Sequence, residues 1–181
     1  MRTVCIVTAT RAEYGLLRPV IQRVAAAEAL ALRLVVTGAH LCPRLGETVR
    51  EIEKDGLPIA ARLPIFRDDA DEPVAKTIAR TMEIFDDYFA AHRPDAVLLL
   101  GDRFEIFAVA AAAAARHIPI AHISGGDVTL GAADEYYRHC ISKMAAVHFP
   151  SCADSAARLV RMGEAPDTVF CVGGLGDENI R

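Results

Sequence analysis

The chain has 181 residues, 52% of them hydrophobic, with 20 basic against 24 acidic side chains and a formal net charge of -4. That is enough for one domain with a real core; it excludes a pair of ordinary-sized domains, a disordered chain and a cationic nucleic-acid scaffold. The most apolar window, Ala108 to Ala115, stops at Arg116-His117, far short of the roughly 20 residues a bilayer needs, and no apolar signal region opens the chain, so a cytoplasmic protein is expected.

Short aliphatic or β-branched runs alternate with helical stretches. Strands are expected at residues 3–7, 32–37, 60–65, 96–100, 118–123, 147–150 and 168–172, each apolar on both faces, as strands buried in a parallel sheet are. Between the first two, residues 16–28 place Leu17, Val20, Ile21 and Val24 on one helical face. Residues 74–91 repeat the pattern with Ile78, Met82, Phe85 and Phe89 before Pro94 stops the helix. Seven strands separated by helices predict one Rossmann-like, doubly wound parallel sheet in an α/β/α sandwich, with no linker or repeat inside the chain. Cys5, Cys42, Cys140, Cys152 and Cys171 are odd in number and never spaced Cys-x-x-Cys. They read as buried or half-buried thiols in a reducing compartment, not as disulfides or a zinc site.

Ligands of such sheets sit beyond the carboxyl ends of the strands, so the loops there are where chemistry is sought. The first loop, Thr8-Ala9-Thr10-Arg11-Ala12-Glu13-Tyr14-Gly15, lacks Gly-x-Gly-x-x-Gly, which disfavours NAD or FAD; Arg11 is either an anion clamp at a helix start or a surface arginine beside Glu13. His40 follows the second strand, as a candidate or a spectator. The fourth strand ends in Gly101-Asp102-Arg103-Phe104-Glu105. Asp102 is expected at a helix N-cap and Arg103 at the helix start, supplying a proton acceptor and an anion clamp on the ligand edge. The fifth runs into Ser124-Gly125-Gly126-Asp127, whose glycines suit either a phosphate loop or a plain turn. In the helix that follows, Asp134 and Arg138 are spaced four apart, as are Glu135 and His139, with Tyr137, Ile141 and Met144 as the buried stripe. Arginines and carboxylates gathered at one edge fit a small anion with a reactive C–H or C–O centre, such as a nucleotide sugar. No metal-ligand cluster stands out.

In these motifs, together with the closing Val172-Gly173-Gly174-Leu175-Gly176, the sequence resembles the hydrolysing branch of the UDP-N-acetylglucosamine 2-epimerase family. The resemblance implies a chain that forms the N-terminal domain of a glycosyltransferase-B type fold, facing a second Rossmann-like domain, and nearly inactive alone. It implies elimination of UDP from UDP-N-acetylglucosamine or a related UDP-acetamido sugar, then hydration to N-acetylmannosamine for sialic or other nonulosonic acid biosynthesis. No metal and no nicotinamide cofactor are expected, since neither a metal-ligand cluster nor a dinucleotide fingerprint is present, and a homo-oligomer is expected when full length. By the same resemblance Asp102 and Asp134 fall on catalytic carboxylate positions, Arg11 and Arg103 on nucleotide-contacting ones, and Gly15, His40, Gly125, Gly126, Glu135, Arg138 and His139 within the substrate-binding motifs. One departure stands out: many members carry Glu directly before the paired glycines, where this chain has Ser124, and Asp127 is expected to fill that catalytic role. A sugar transferase of the same fold and a non-catalytic nucleotide-sugar-binding or assembly module are the alternatives.

Overall fold

The computed structural model describes residues 1–67 and 72–176. Within them, β1 (Arg2–Thr8), β2 (Leu30–Thr37), β3 (Ile59–Leu63), β4 (Ala96–Leu100), β5 (Ile120–Ile123) and β6 (Val147–Phe149) form one parallel sheet ordered β3-β2-β1-β4-β5-β6. The intervening helices are α1 (Arg11–Ala26), α2 (Val49–Lys54), α3 (Val74–Ala91), α4 (Phe104–Ala115), α5 (Asp134–Met144) and α6 (Ala153–Arg161). No helix among the described residues is long and apolar enough to cross a membrane.

Alternation along the strands builds a core on each face of the sheet. Ile6, Leu34, Val36, Leu98 and Leu100 pack with Tyr14, Leu17 and Ile21 of α1 and Ile52 of α2. Their neighbours Val7, Val35, Val97 and Leu99 pack on the opposite side with Phe85 and Phe89 of α3, Ile106, Val109 and Ala113 of α4 and Ile141 of α5. Burying a Leu, Ile or Phe side chain contributes about 1.5–3 kcal/mol, so these two layers carry the fold. β1 pairs with β2 on one side and β4 on the other. There the winding reverses, and the helices leaving β1 and β4 diverge to opposite faces, opening a crevice at their carboxyl ends.

Three expectations are corrected. Residues 168–172 are not a seventh strand: Pro166–Thr168 wind into a 3-10 turn, a single bridge joins Val169 to His148, and Phe170 and Val172 remain half-exposed. The first helix starts at Arg11, because Thr10 and Glu13 form a capping box. Cys140, Cys152 and Cys171 are exposed, and only Cys5 and Cys42 are buried.

Candidate functional site

The crevice is an open pocket of about 870 Å³, within the range of small-molecule sites. Its walls include Thr10 and Glu13 after β1, Gly101, Asp102 and Arg103 after β4, Ser124 and Asp127 after β5, Asp134 and Arg138 from α5, and Ser155 and Arg158 from α6. Three carboxylates and two arginines expected from the sequence thus meet, drawn from segments that the sheet alone brings together.

Arg138 organises the wall. Its side chain is 3% exposed, and its guanidinium forms ion pairs with Asp102 and, at 2.6 Å, with Glu135. It also donates to the Asp127 carbonyl at 3.0 Å and to Thr129 Oγ1 at 2.7 Å. The planar fork lets one side chain hold four acceptors at fixed angles, which a lysine cannot do. Glu135 in addition accepts the Thr129 N–H at 2.7 Å and pairs with His139 at 3.0 Å. The Thr129 N–H foremost, and His139 and Arg138 after it, hold the Glu135 carboxyl below its usual range. Glu135 and His139 therefore stand behind the wall, supporting it. Asp102 does not cap α4: Arg103 occupies the N-cap position, without a side-chain cap bond. Gly101, at φ 83°, turns the chain so that Asp102 is committed to Arg138 instead. Nor are Tyr137 and Met144 fully buried; the inward stripe of α5 is Arg138, Ile141 and Ser142.

Beneath the wall, His122 is fully buried. Its Nε2 donates to the Gly101 carbonyl at 2.7 Å, so Nδ1 is the acceptor facing Ser142 Oγ at 3.1 Å. Burial pushes this imidazole down to about 4, which keeps it neutral and fixes that tautomer near neutrality. The paired glycines serve packing. A Cβ on Gly125 would stand 2.8 Å from Ser142 Oγ and 2.9 Å from His122 Nδ1, and one on Gly126 would stand 2.3 Å from the Ser155 carbonyl. They let the loop lie on α5 and α6 and do not line the pocket. Asp127 does line it, with Oδ1 accepting from Ser151 at 2.8 Å and Ser155 at 2.5 Å.

Three expected ligand residues are placed elsewhere. Arg11 is an exposed helix-start side chain paired with Glu51 at 3.0 Å. Gly15 lies on an exposed shoulder of α1 beside Arg18 and Asp55. His40 is fully buried, its Nε2 3.0 Å from Thr8 Oγ1 and its Nδ1 2.7 Å from Thr48 Oγ1, a strut between the end of β1 and the start of α2. Burial pushes it down to about 4.

Sequence reasoning missed Glu13 and Arg158. Glu13 is buried, and Arg158 donates to the Gly126 carbonyl from the pocket's α6 side. Both had a signal: Thr10 and Glu13, three residues apart, have the spacing of a capping box, and α6 leaves a strand end on the same edge. Among the described residues, no three His, Cys, Asp or Glu side chains converge as metal ligands.

Sheet order and crevice together define a doubly wound α/β domain with an arginine- and carboxylate-lined ligand site at its switch point. The chain belongs to the UDP-N-acetylglucosamine 2-epimerase family, whose model matches residues 22–181. It is 40% identical, over 99% of its length, to the GDP/UDP-N,N'-diacetylbacillosamine 2-epimerase (hydrolyzing) of Campylobacter jejuni, of which it covers 47%. It is 41% identical, again over 99% of its length, to the UDP-N,N'-diacetylbacillosamine 2-epimerase (hydrolyzing) of Legionella pneumophila, of which it covers 48%. Its fold matches the crystal structure of UDP-GlcNAc 2-epimerase from Neisseria meningitidis bound to UDP-GlcNAc with a TM-score of 0.86 at 22% identity, over 98% of this chain and 49% of that one. The chain spans about half the length of the curated relatives it matches.

Proposed function

We propose that this domain is one wall of the active site of a hydrolysing 2-epimerase acting on a UDP-linked acetamido sugar, in the cytoplasm and as a homo-oligomer of the complete polypeptide. The observation that carries the reading is the convergence of Asp102, Asp127 and Asp134 with Arg103 in a single crevice. A proton on sugar C2 has no carbonyl beside it and becomes labile only as the diphosphate leaves C1. The reaction therefore needs cations for the departing group and carboxylates that take one proton and return another, each such group giving typically 10²- to 10⁴-fold in rate.

In this reading Arg103, whose side chain is 44% exposed, faces the diphosphate. Asp102 and Asp134 move the protons, Arg138 holds Asp102 in place, and Asp127 takes the part of the carboxylate that the family carries at the Ser124 position. Elimination breaks C1–O and C2–H to leave a 2-acetamidoglycal and UDP. Water then adds OH at C1 and H at C2 from the opposite face, releasing the free 2-epimer. The substrate we favour is a UDP-linked N,N'-diacetamido sugar, because the 40% and 41% identical relatives are named for a diacetamido sugar. The product would feed nonulosonic acid biosynthesis, of which sialic acid is one case.

The test is to incubate the complete polypeptide with UDP-N,N'-diacetylbacillosamine and, separately, with UDP-N-acetylglucosamine, following UDP and the free sugar together. Equimolar UDP and 2-epimer are expected, faster from the diacetamido substrate. UDP without an epimerised sugar, or transfer of the sugar to an acceptor, overturns the reading.

A further inference from the structure

Among the described residues, Glu13 is the one wall residue with an unsatisfied buried oxygen. Its Oε2 accepts the N–H groups of Ala9 at 2.8 Å and Thr10 at 3.3 Å, whereas Oε1 is buried without a hydrogen-bond partner. The side chain is 9% exposed, and Arg103 Nε stands 4.0 Å from Oε1. The same guanidinium gives two direct hydrogen bonds, at 2.9 and 3.2 Å, to the fully buried Glu105 on α4. Asp134 on α5 also bears on Arg103. The charged groups acting on Glu13 are thus Arg103 from the β4–α4 turn and Glu105 from α4. One cation serves two buried carboxyls before any ligand arrives.

We propose that Glu13 takes up a proton when an anionic ligand engages Arg103, so that diphosphate binding in this pocket is coupled to protonation of a carboxyl lying behind the arginine. The inference rests on the reading of the pocket as a UDP-sugar site. A diphosphate at the outer face of Arg103 adds negative charge that one guanidinium cannot offset for three anions at once. Glu105 holds two hydrogen bonds from the arginine and Glu13 none, so Glu13 is the group that yields. The proton comes from solvent and lands on Oε1, since Oε2 is occupied by two N–H donors. As a carboxylic acid Glu13 keeps both of those bonds, and the cap of α1 survives. Burial foremost, with the Glu105 charge adding to it and the Ala9 and Thr10 N–H groups and Arg103 opposing, already pushes Glu13 up to about 7. The proton is therefore accessible near neutrality, and added anionic charge raises the group further.

Calorimetric titration of the complete polypeptide with UDP at pH 8, in buffers of different ionisation enthalpy, reads the protons taken up on binding. Wild type is expected to take up more than Glu13→Gln, by up to one proton, and its UDP affinity should fall between pH 7.5 and 9. The fall approaches about tenfold for each unit by which binding raises Glu13. Glu13→Gln, which mimics the protonated acid, should show a flat profile. A wild-type affinity that is constant from pH 7.5 to 9, with no proton uptake, overturns the inference and leaves the UDP-sugar reading standing; that arm needs no variant. An affinity lowered equally at every pH in Glu13→Gln points to helix capping alone and also overturns it. No UDP binding at any pH overturns both.

Discussion

Replacing Arg138 by methionine removes the cation around which the α5 wall is built while keeping much of the side-chain volume. The guanidinium holds two carboxylates, one carbonyl and one hydroxyl, and is itself 3% exposed. Breaking a buried ion pair by deleting one partner costs about 3–5 kcal/mol. Here the stranded carboxylates of Asp102 and Glu135 are 26% and 20% exposed, so water recovers part of that and the lower end, about 3 kcal/mol, applies to the pair. The lost bonds to the Asp127 carbonyl and Thr129 add about 1 kcal/mol each. A domain of this length then melts roughly 10–20 °C lower, at about 2–4 °C per kcal/mol. Scanning calorimetry and urea unfolding of wild type, Arg138→Met and Arg138→Lys at pH 7 measure it. Lysine should restore less than half the loss, because one ammonium cannot span acceptors held from two guanidinium nitrogens. An Arg138→Met midpoint within about 2 °C of wild type refutes the assignment of Arg138 as the organiser of the wall.

Gly126 has φ 79°, and a Cβ there would stand 2.3 Å from the Ser155 carbonyl; Gly126→Ala should therefore destabilise by about 2–5 kcal/mol through backbone strain and overpacking, read by urea unfolding, and weaken UDP binding by displacing α6 with Arg158. His40 is lowered by burial to about 4 from an ordinary 6.5, so its unfolded form binds the proton more tightly: the stability it contributes is present above pH 6.5 and lost as pH falls toward 4. His40→Gln should lower stability at pH 7 and flatten the acid limb, followed by thermal midpoints from pH 7 to 4. Asp127→Asn in the complete polypeptide should slow UDP release by 10²-fold or more if that carboxylate moves a proton; an unchanged rate, measured by coupled UDP assay, removes Asp127 from the catalytic set.

The layers of the fold were legible because buried parallel strands and amphipathic helices leave a pattern in composition. Residues 74–91 read directly as α3, and Phe85 and Phe89 lie one turn apart on the face that meets α4, whereas Met82, expected on that face, is exposed and Thr77, Thr81 and Tyr88 are buried instead. The over-read strand at 168–172 shows the limit of that signal. Apolar residues beside a sheet edge look the same whether or not a neighbour exists to bond their second side. The candidate site was legible as positions but not as partnerships. Asp102 and Arg138 are 36 residues apart and meet only because β4 ends and α5 begins at the same edge. Arg11 and Glu13, two residues apart on one helix, face opposite surroundings: the capping-box spacing turns the glutamate back onto the helix start, but nothing local says that Arg103 meets it there.

Ser124, the residue that departs from the family pattern, sits at φ 62°. That left-handed geometry penalises any side chain bearing a Cβ by roughly 1–2 kcal/mol, so serine already carries the conformational cost that glutamate would. The backbone is thus neutral to the exchange of hydroxyl for carboxylate at a position that opens onto the crevice. Chemical identity at this point can change without a refolding event, while the scaffold stands still.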